Sequence, residues 1–484
     1  MASIRGLIPL VVLGGWLLLV DLDATDLWSS HEARSAQHAQ LMLDDGGWLL
    51  PRLYDGQTDY QKPPAFYWLV AATSQLRGGP VDRWDVRLPA ALSGLITVLL
   101  VSSWLTRRGR PLAGMLAGLI LLSAVHFTSS ARTGRIDLPL TLAITAGVLS
   151  LAPPVTARWR GVIFAGLAFG TALLLKGPIG LVLPVGALAT CYLVHRDRAG
   201  LLRLGVAVLL AVAIAMPWYV LVNQRTDGEF VRVFFGYHHF SRALGDAPAL
   251  ELHPWWFYGP RFALDFLPWT PLFLFAAFRR DRDDREAAFG LIWFAVMFGL
   301  LSLASFKRGD YLLPAFPGAA LAIGCTAERF LQRLSDRGRR LAAVSFALTL
   351  VGVVIGWQWF HQRIEPGQQA VREQAGFARY IRQQTPAPAS VTLFRVESHL
   401  LAYHLGRPVH TLVEWGDLNQ ELARPGTHWF VTREEFVPEC LECVRTRPIE
   451  VVGRSREFTT AVPLRPLVLL RTSDPPCPTP TPTD

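Results

Sequence analysis

The sequence predicts a polytopic α-helical membrane protein with about eleven transmembrane helices and a small soluble α/β domain at its C-terminal end. Hydrophobic residues make up 51% of the 484 residues and charged residues only 18%. The apolar residues fall in blocks of roughly 15 to 21, separated by short Arg-rich stretches, and about 20 apolar residues carry a helix across a bilayer. After Phe360 the composition becomes that of a soluble protein.

The apolar blocks place the first span at Leu7–Val20, read as an uncleaved span because acidic residues and no small-residue cleavage site follow it. The ten further spans are predicted at 87–105, 112–129, 137–152, 161–175, 178–194, 203–221, 263–278, 287–305, 311–327 and 341–360. Two long loops separate some of these spans, at 21–86 and 222–262. We therefore predict a transmembrane module over 1–360, a soluble α/β domain over 361–473 and a disordered, Pro/Thr-rich tail over 474–484.

The soluble domain is predicted from alternating patterns. Residues 366–385 have helical periodicity, and 390–395, 427–432 and 466–471 are rich in β-branched and other strand-forming residues. Alternation of helix and strand patterns over about 110 residues is typical of a small α/β domain.

The distribution of basic residues sets the orientation. With Arg5 on the cytoplasmic side, the five short loops predicted as cytoplasmic carry 17 Lys and Arg residues and the three short outer loops carry five. This bias follows the positive-inside rule, so the N-terminus is expected inside and the C-terminal domain outside. Because the basic residues lie at the ends of apolar blocks rather than in one soluble stripe, the net charge of +9 does not indicate nucleic-acid binding.

The first long loop contains a helix signal. Ser29-Ser30-His31-Glu32 opens a helix that runs to about Asp44 and stops at Gly46-Gly47. Ser29 and Glu32 have the spacing of a capping box, in which the carboxylate binds the start of its own helix. The alternative is that Glu32 is a functional carboxylate at a cleft on the membrane surface, and the spacing does not decide between the two.

Lysine is rare in this chain, and all three lysines fall in predicted outer segments: Lys62, Lys176 and Lys307. Lys62 precedes Pro63-Pro64, which preset the start of a helix whose exposed amides favour an anion such as phosphate. The alternative is an ammonium that extends to water above an interfacial helix.

Other polar residues lie at the outer ends of spans. Asp137 opens the fourth span after Arg132 and Arg135, as an ion-paired cap or as a functional carboxylate. Lys176 forms a tight turn with Gly177-Pro178, and Lys307 is followed by Arg308, Asp310 and Tyr311. Together these residues predict an outer pocket with many cations and a few carboxylates. Such a pocket suits a lipid-linked phosphate, whose departure needs cationic stabilisation, and an acceptor hydroxyl, whose activation needs a carboxylate or imidazole base.

The ordered set of motifs resembles the GT-C glycosyltransferases of the protein O-mannosyltransferase and lipid A aminoarabinose transferase superfamily, over roughly residues 5–360. The matching residues are, in order, His31-Glu32-Ala33-Arg34, Gly47-Trp48, Pro51, Lys62-Pro63-Pro64, Tyr67-Trp68, Arg87-Leu88-Pro89, Lys176-Gly177-Pro178, His239 with Arg242, Pro268-Trp269, and Lys307 with Tyr311-Leu312-Leu313-Pro314.

The resemblance implies a GT-C fold, a polyprenyl-phosphate sugar donor, inversion at the anomeric carbon and an active site on the lumenal or periplasmic side. By motif match, Lys62, Arg242 and Tyr311 contact the donor phosphate, and Asp137 is a carboxylate at the mouth of the site. Lys176 and Lys307 are further candidates for the phosphate.

Two residues depart from the family pattern. His31 stands where the Asp of an Asp-Glu pair is expected, so the base stays open among His31, Glu32 and Asp137. Gln61 stands where many relatives have an acidic residue, which weakens the case for a metal at that position; no cofactor is certain, and a divalent metal stays open.

The predicted function is transfer of a glycosyl group from a polyprenyl-phosphate sugar to a lipid, glycan or protein acceptor at the outer face of the inner (plasma) membrane. The alternative is a non-catalytic or transport-type membrane protein that handles polyprenyl-linked glycolipids. A transporter predicts charged residues deep within spans, whereas the charges in this sequence cluster at span ends.

Overall fold

The computed structural model describes residues 4–27, 29–153, 159–241, 252–279, 283–370, 374–396, 399–444, 447–459, 461, 463 and 465–472. The chain divides into two compact units. The first unit takes in Met1–Asp23, Gly47–Pro51 and Asp59–Trp357, and the second takes in Ala24–Gly46, Arg52–Thr58 and Gln358–Asp484. The domain limits drawn from the sequence remain a prediction.

The first unit is helical. Its helices are α1 (Ile8–Leu19), α3 (Ala65–Arg77), α4 (Arg83–Arg107), α5 (Pro111–Ser123), α6 (Val125–Ala131), α7 (Asp137–Ser150), α8 (Trp159–Lys176), α9 (Ile179–Val194), α10 (Arg198–Arg225), α11 (Glu229–Val231), α12 (Tyr258–Asp265), α13 (Thr270–Phe278), α14 (Arg285–Leu303), α15 (Phe316–Arg333) and α16 (Asp336–Trp359). Helix α11 continues into π-helical turns over Arg232–Ser241, and 3-10 turns over Gly309–Ala315 lead into α15.

The protein is a multi-pass α-helical membrane protein. Among the described residues, five helices are long and apolar enough to cross a membrane, or up to seven if two bent helix pairs each form one span. Helices α1, α7 and α9 are shorter and apolar. Every predicted span falls on a helix or on a bent pair, and the number of eleven crossings stays a prediction.

The two bent pairs touch each other at their breaks. Helices α5 and α6 meet at 68°, and helices α12 and α13 meet at 118°. The backbone N–H of Val125 donates to the carbonyl of Leu267 (3.1 Å), and the indole N–H of Trp269 donates to the Ser123 hydroxyl (2.9 Å). A break in a helix leaves backbone groups without their helical hydrogen-bond partners, and inside a bilayer water cannot replace those partners. The hydrogen bonds between the two breaks therefore stabilise both of them.

Close helix crossings in this unit rely on small residues. Helices α14 and α15 cross at Gly290 and Gly318, where a Cβ on Gly290 would lie 2.5 Å from the Gly318 carbonyl oxygen. Small residues let two backbones approach, which favours van der Waals packing between membrane helices.

The second unit is an α/β domain. It contains α2 (Ser30–Asp45), α17 (Glu365–Ala370), α18 (Ala375–Gln384), α19 (His399–Leu405), α20 (Trp415–Leu422), α21 (Val437–Cys443) and the strands β1 (Val391–Phe394), β2 (His410–Leu412), β3 (His428–Arg433), β4 (Ile449–Arg454) and β5 (Leu467–Thr472). In the described part of the chain the sheet has five strands in the order β2-β1-β3-β5-β4, with β1 parallel to β2 and β3, and β5 antiparallel to β3 and β4. The three strands predicted from the sequence correspond to β1, β3 and β5; β2 and β4 were not predicted.

Part of the first long loop belongs to this second unit. The side-chain amide of Gln37 on α2 donates to the His399 carbonyl (2.8 Å), and its oxygen accepts from the N–H of Tyr54 (3.2 Å). Tyr54 in turn accepts from the N–H of Val409 through its carbonyl (3.0 Å) and packs in the same apolar core as Phe377. The loop segment that carries His31 and Glu32 is therefore a structural element of the α/β unit.

Candidate active site

The centre of the candidate site is Asp137 at the first position of α7. The residue is buried, and its carboxylate accepts a hydrogen bond from the Lys176 ammonium, with 2.5 Å between Nζ and Oδ1. Arg135 Nε lies 3.4 Å from the other carboxylate oxygen. The predicted ion-paired state of Asp137 is thus present, with Lys176 as a partner that lies 39 residues away in the sequence.

The local sequence explains why these groups meet. Lys176 ends α8, and Gly177 follows with a left-handed φ of 83°, which lets the chain turn at once into Pro178 and α9. On the other side, the loop before α7 passes close to α4, since a Cβ on Gly134 would lie 2.3 Å from Val86. Both short turns hold their charged residues at the ends of apolar helices.

Asp310 is a second, largely buried carboxylate in this cluster, and the sequence analysis gave it no role of its own. Arg135 Nη2 lies 2.5 Å, His126 Nε2 3.3 Å and Arg308 Nε 3.6 Å from its oxygens. Burial by itself raises the pKa of Asp310, but the hydrogen bond from His126 and the charge of Arg135 outweigh it and lower the pKa below its ordinary value. Asp310 therefore stays ionised to lower pH than an ordinary aspartate, and it shares Arg135 with Asp137.

Tyr311 and Lys62 complete the described part of the cluster. The Lys176 ammonium lies 4.2 Å from the centre of the Tyr311 ring, in a cation–π contact. The charge of Lys62 lies near enough to Asp137 to interact with it. Lys62 stands just before α3, where Asp59 fixes the turn by accepting from the N–H of Gln61 (2.9 Å).

Lys307 lies outside this cluster of charges. Its ammonium donates to the carbonyls of His253 (3.0 Å) and Ala304, and the residue is 2% exposed. Burial lowers the pKa of this ammonium. Lys307 follows the end of α14, and its ammonium is occupied by these two backbone carbonyls. This arrangement does not favour the role in phosphate binding that the sequence suggested.

His31 and Glu32 lie in the first turn of α2 in the second unit. The Ser29 hydroxyl accepts from the N–H of Glu32 (3.2 Å) and lies 3.4 Å from its carboxylate, and Glu32 is fully buried. The Ser29 hydroxyl therefore caps α2, which is one half of the capping box that the sequence predicted as one of two alternatives. The catalytic role predicted for His31 and Glu32 stays a hypothesis.

Two of the predicted residues are not fully described. Arg242 lies outside the described residues, and so does the side chain of His239. Among the residues that are described, no group of three or more His, Cys, Asp or Glu side chains could hold a metal ion.

An apolar cavity of about 540 Å³ opens in the first unit. It lies between α8, α9, α10 and the chain around Val231, and its lining includes Leu173, Pro178, Tyr219 and Phe235. Pro178 is two residues from Lys176, so the cavity begins next to the charged cluster.

Comparison with known proteins agrees with this architecture. The family described as dolichyl-phosphate-mannose-protein mannosyltransferase matches residues 23–228. An undecaprenyl phosphate-α-4-amino-4-deoxy-L-arabinose arabinosyl transferase of Pseudomonas fluorescens is 31% identical over 364 residues, which cover 73% of this chain and 62% of the relative. The corresponding transferase of Aeromonas salmonicida is 32% identical over 340 residues, covering 67% of this chain and 60% of the relative. The chain thus spans about three fifths of the length of these curated relatives.

Solved structures show the same fold. ArnT from Cupriavidus metallidurans bound to undecaprenyl phosphate superposes with a TM-score of 0.79 at 22% identity, covering 96% of this chain and 98% of that one. The archaeal oligosaccharyltransferase AglB from Archaeoglobus fulgidus gives a TM-score of 0.60 at 12% identity, covering 91% of this chain and 70% of that one.

The helical unit, the α/β unit and these similarities define a multi-pass membrane protein of the GT-C fold. Over the matched residues the chain is similar to the superfamily that contains the protein O-mannosyltransferases and the lipid A aminoarabinose transferases.

Proposed function

We propose that this protein transfers a glycosyl group from a polyprenyl-phosphate-linked sugar to a lipid, glycan or protein acceptor, with inversion at the anomeric carbon. The observation that carries the proposal is the buried pair of Asp137 and Lys176 within a cluster of cations. The matching family and the relatives are named as sugar transferases, and their names include a polyprenyl-type phosphate, dolichyl or undecaprenyl. These names support the same class of sugar donor for this chain.

In the proposed reaction the acceptor oxygen attacks the anomeric carbon while the bond from that carbon to the phosphate oxygen breaks. The leaving polyprenyl phosphate gains a negative charge, which cations in a dry site stabilise more strongly than water does. We assign this role to Lys62, Lys176 and Arg242, with the Tyr311 hydroxyl as a neutral hydrogen-bond donor to the phosphate. We leave Lys307 out because its ammonium is held by two backbone carbonyls.

The proton of an acceptor hydroxyl requires a base. Asp137 is already bound by Lys176 and Arg135, and we assign it to holding Lys176 and to accepting a hydrogen bond from the acceptor. His31 and Glu32 stay the candidates for the proton acceptor.

The apolar cavity beside Pro178 suits the isoprenoid chain of the donor, because it is lined mostly by aliphatic and aromatic side chains. We further propose that the protein lies in the inner membrane with the charged cluster on the periplasmic side. The excess of basic residues in the short loops at the other helix ends supports this orientation.

The test is turnover of a radiolabelled polyprenyl-phosphate sugar by the full-length protein in nanodiscs, with extracted envelope lipids, glycans and proteins as acceptors. We expect transfer by the wild type and at least a tenfold loss in Lys62→Ala and in Asp137→Asn. Full transfer by both variants rules the proposal out. Tight donor binding without transfer to any acceptor class supports the non-catalytic alternative instead.

A further inference from the structure

The sheet of the second unit contains a topological switch point. From β1 the chain passes through α19 to β2 on one side, and from β3 it passes through α21 to β4 on the other side. Helices α18 and α19 pack on one face of the sheet, and α20 and α21 pack on the opposite face. In open α/β sheets such a divergence leaves a crevice outside the carboxyl ends of the two strands, where ligands bind.

Both strands that flank this crevice end in arginine. Arg433 is the last residue of β3, and Arg395 follows β1 directly. Since Leu393 pairs with Val431, Arg395 lies level with Arg433 at the ends of neighbouring strands. Arg395 has a left-handed φ of 52°, a conformation that is uncommon for a residue with a side chain and that concentrates at functional sites.

Aromatic rings accompany the two guanidinium groups. The Arg395 and Arg433 guanidinium carbons lie 5.8 Å and 5.9 Å from the centre of the same ring, that of Phe436. The Arg395 guanidinium also lies 5.0 Å from the ring of Trp415, which follows β2 and is half-buried. The crevice therefore presents two planar cations and a partly open indole ring.

The carboxylates that balance these arginines lie at the rim. Glu439 is 3.5 Å from Arg395 and Glu435 is 3.2 Å from Arg433, and their side chains are 51% and 63% exposed. Two like charges on neighbouring strands repel each other, and exposed ion pairs compensate this only weakly. An anion that bridges the two guanidinium groups removes the repulsion.

We propose that this crevice binds an anionic saccharide. The guanidinium groups of Arg395 and Arg433 bind its phosphate or carboxylate through paired hydrogen bonds, and the ring of Trp415 packs against the face of the sugar. This site is separate from the proposed transfer reaction, and its assignment does not depend on that reaction.

A second arginine in the same unit provides a matched comparison. Arg471 on β5 lies 5.5 Å from the ring of Trp429 and pairs with Glu450, so it has the same kinds of partner. Both partners face it directly across the sheet, in an ordinary cross-strand arrangement away from the crevice. Arg471→Ala thus removes an arginine–aromatic–carboxylate contact without touching the proposed site.

The experiment is isothermal titration of the full-length protein in nanodiscs of zwitterionic lipid with glucose 1-phosphate, glucuronate and neutral glucose. We expect the wild type to bind at least one of the two anionic sugars more tightly than glucose, and the preferred one identifies the anionic group. Arg433→Ala and Arg395→Ala are expected to weaken that binding at least tenfold. Arg395→Lys, which keeps the charge but loses the planar fork, is expected to weaken it less than alanine does.

Arg471→Ala and Lys62→Ala are expected to bind the anionic sugar as the wild type does. Should Arg395→Ala disturb folding, Arg433→Ala, on a side chain with 31% exposure, tests the same site alone. Binding of neither anionic sugar, or equal binding by Arg433→Ala and the wild type, overturns the proposal. Loss of binding in Lys62→Ala instead places the sugar at the charged cluster of the first unit and equally overturns it.

Discussion

Lys176 Nζ lies 2.5 Å from Asp137 Oδ1, although one residue ends α8 and the other begins α7. Both side chains are largely buried, with 14% and 6% exposure. Removing either partner alone leaves an uncompensated charge in a poorly hydrated place, which is costly. The pair therefore fixes the distance between the two helix ends, and in the proposed function it positions the ammonium that binds the donor phosphate.

Asp137→Asn is expected to lower kcat/KM for sugar transfer by about 100-fold or more, because the amide no longer holds the Lys176 ammonium in place by charge. The measurement is initial rates over a range of donor concentrations in nanodiscs. Asp197→Asn is the control, since Asp197 caps α10 by accepting from the N–H of Gly200, and asparagine caps equally well. A loss in Asp197→Asn as large as that in Asp137→Asn contradicts a specific role for Asp137.

Lys62 and Lys307 are expected to respond to alanine in opposite ways. Lys307→Ala leaves the carbonyls of His253 and Ala304 without their donor and should lower the apparent stability by about 1–3 kcal/mol while leaving the donor KM unchanged. Lys62→Ala should raise the donor KM at least tenfold while leaving the melting temperature unchanged. Thermal unfolding and donor titration of both variants give the comparison, and a raised KM in Lys307→Ala at full stability restores this residue to the phosphate site.

The different contacts of Lys176 and Lys307 could not be predicted from the sequence. Each lies at the end of an apolar helix on the side predicted as outer, and nothing local distinguishes Lys176, which meets a carboxylate, from Lys307, which meets two carbonyls. The burial and partners of a side chain depend on distant segments. Asp310 was passed over for the same reason, since His126 and Arg135 come from other parts of the chain.

Local signals, by contrast, were sufficient for the elements themselves. The helix predicted from Ser29 to about Asp44 is α2, and Gly46 ends it with a left-handed φ of 69°. The apolar blocks predicted the membrane helices because their signal is a continuous run. The sequence did not indicate that α2 packs with the C-terminal domain. Strands β2 and β4 were missed because β2 has only three residues and β4 is an edge strand with a single buried residue.

Asp310 is expected to contribute stability at every pH above its unfolded pKa. Its pKa is lowered in the folded protein, so the unfolded chain takes up the proton first, at about pH 4. The contribution is then complete above about pH 4 and is lost as the pH falls toward the folded pKa. Asp310→Asn should cost about 3–5 kcal/mol because it leaves Arg135 and Arg308 without their shared anion.

The measurement is thermal unfolding from pH 8 to pH 3 of the protein with and without Asp310→Asn. Both proteins also carry His126→Gln, so that titration of the His126 imidazole does not contribute. The deficit of Asp310→Asn should stay constant from pH 8 to about pH 5 and shrink below about pH 4. A deficit that grows on acidification contradicts the lowered pKa.

The topology gives the last prediction, for the two ends of α10. His195 precedes this helix and Arg225 ends it, both are exposed, and the helix of 28 residues is long enough to cross the membrane. With Cys443 and Cys477 replaced by serine, and the other cysteines buried, His195→Cys should react with a membrane-impermeant maleimide only after the inner face is opened. Arg225→Cys should react in intact cells, because the positive-inside bias puts the Lys176 end of the bundle outside. Labelling of both cysteines from the same side would falsify this crossing and with it the predicted side of the charged cluster.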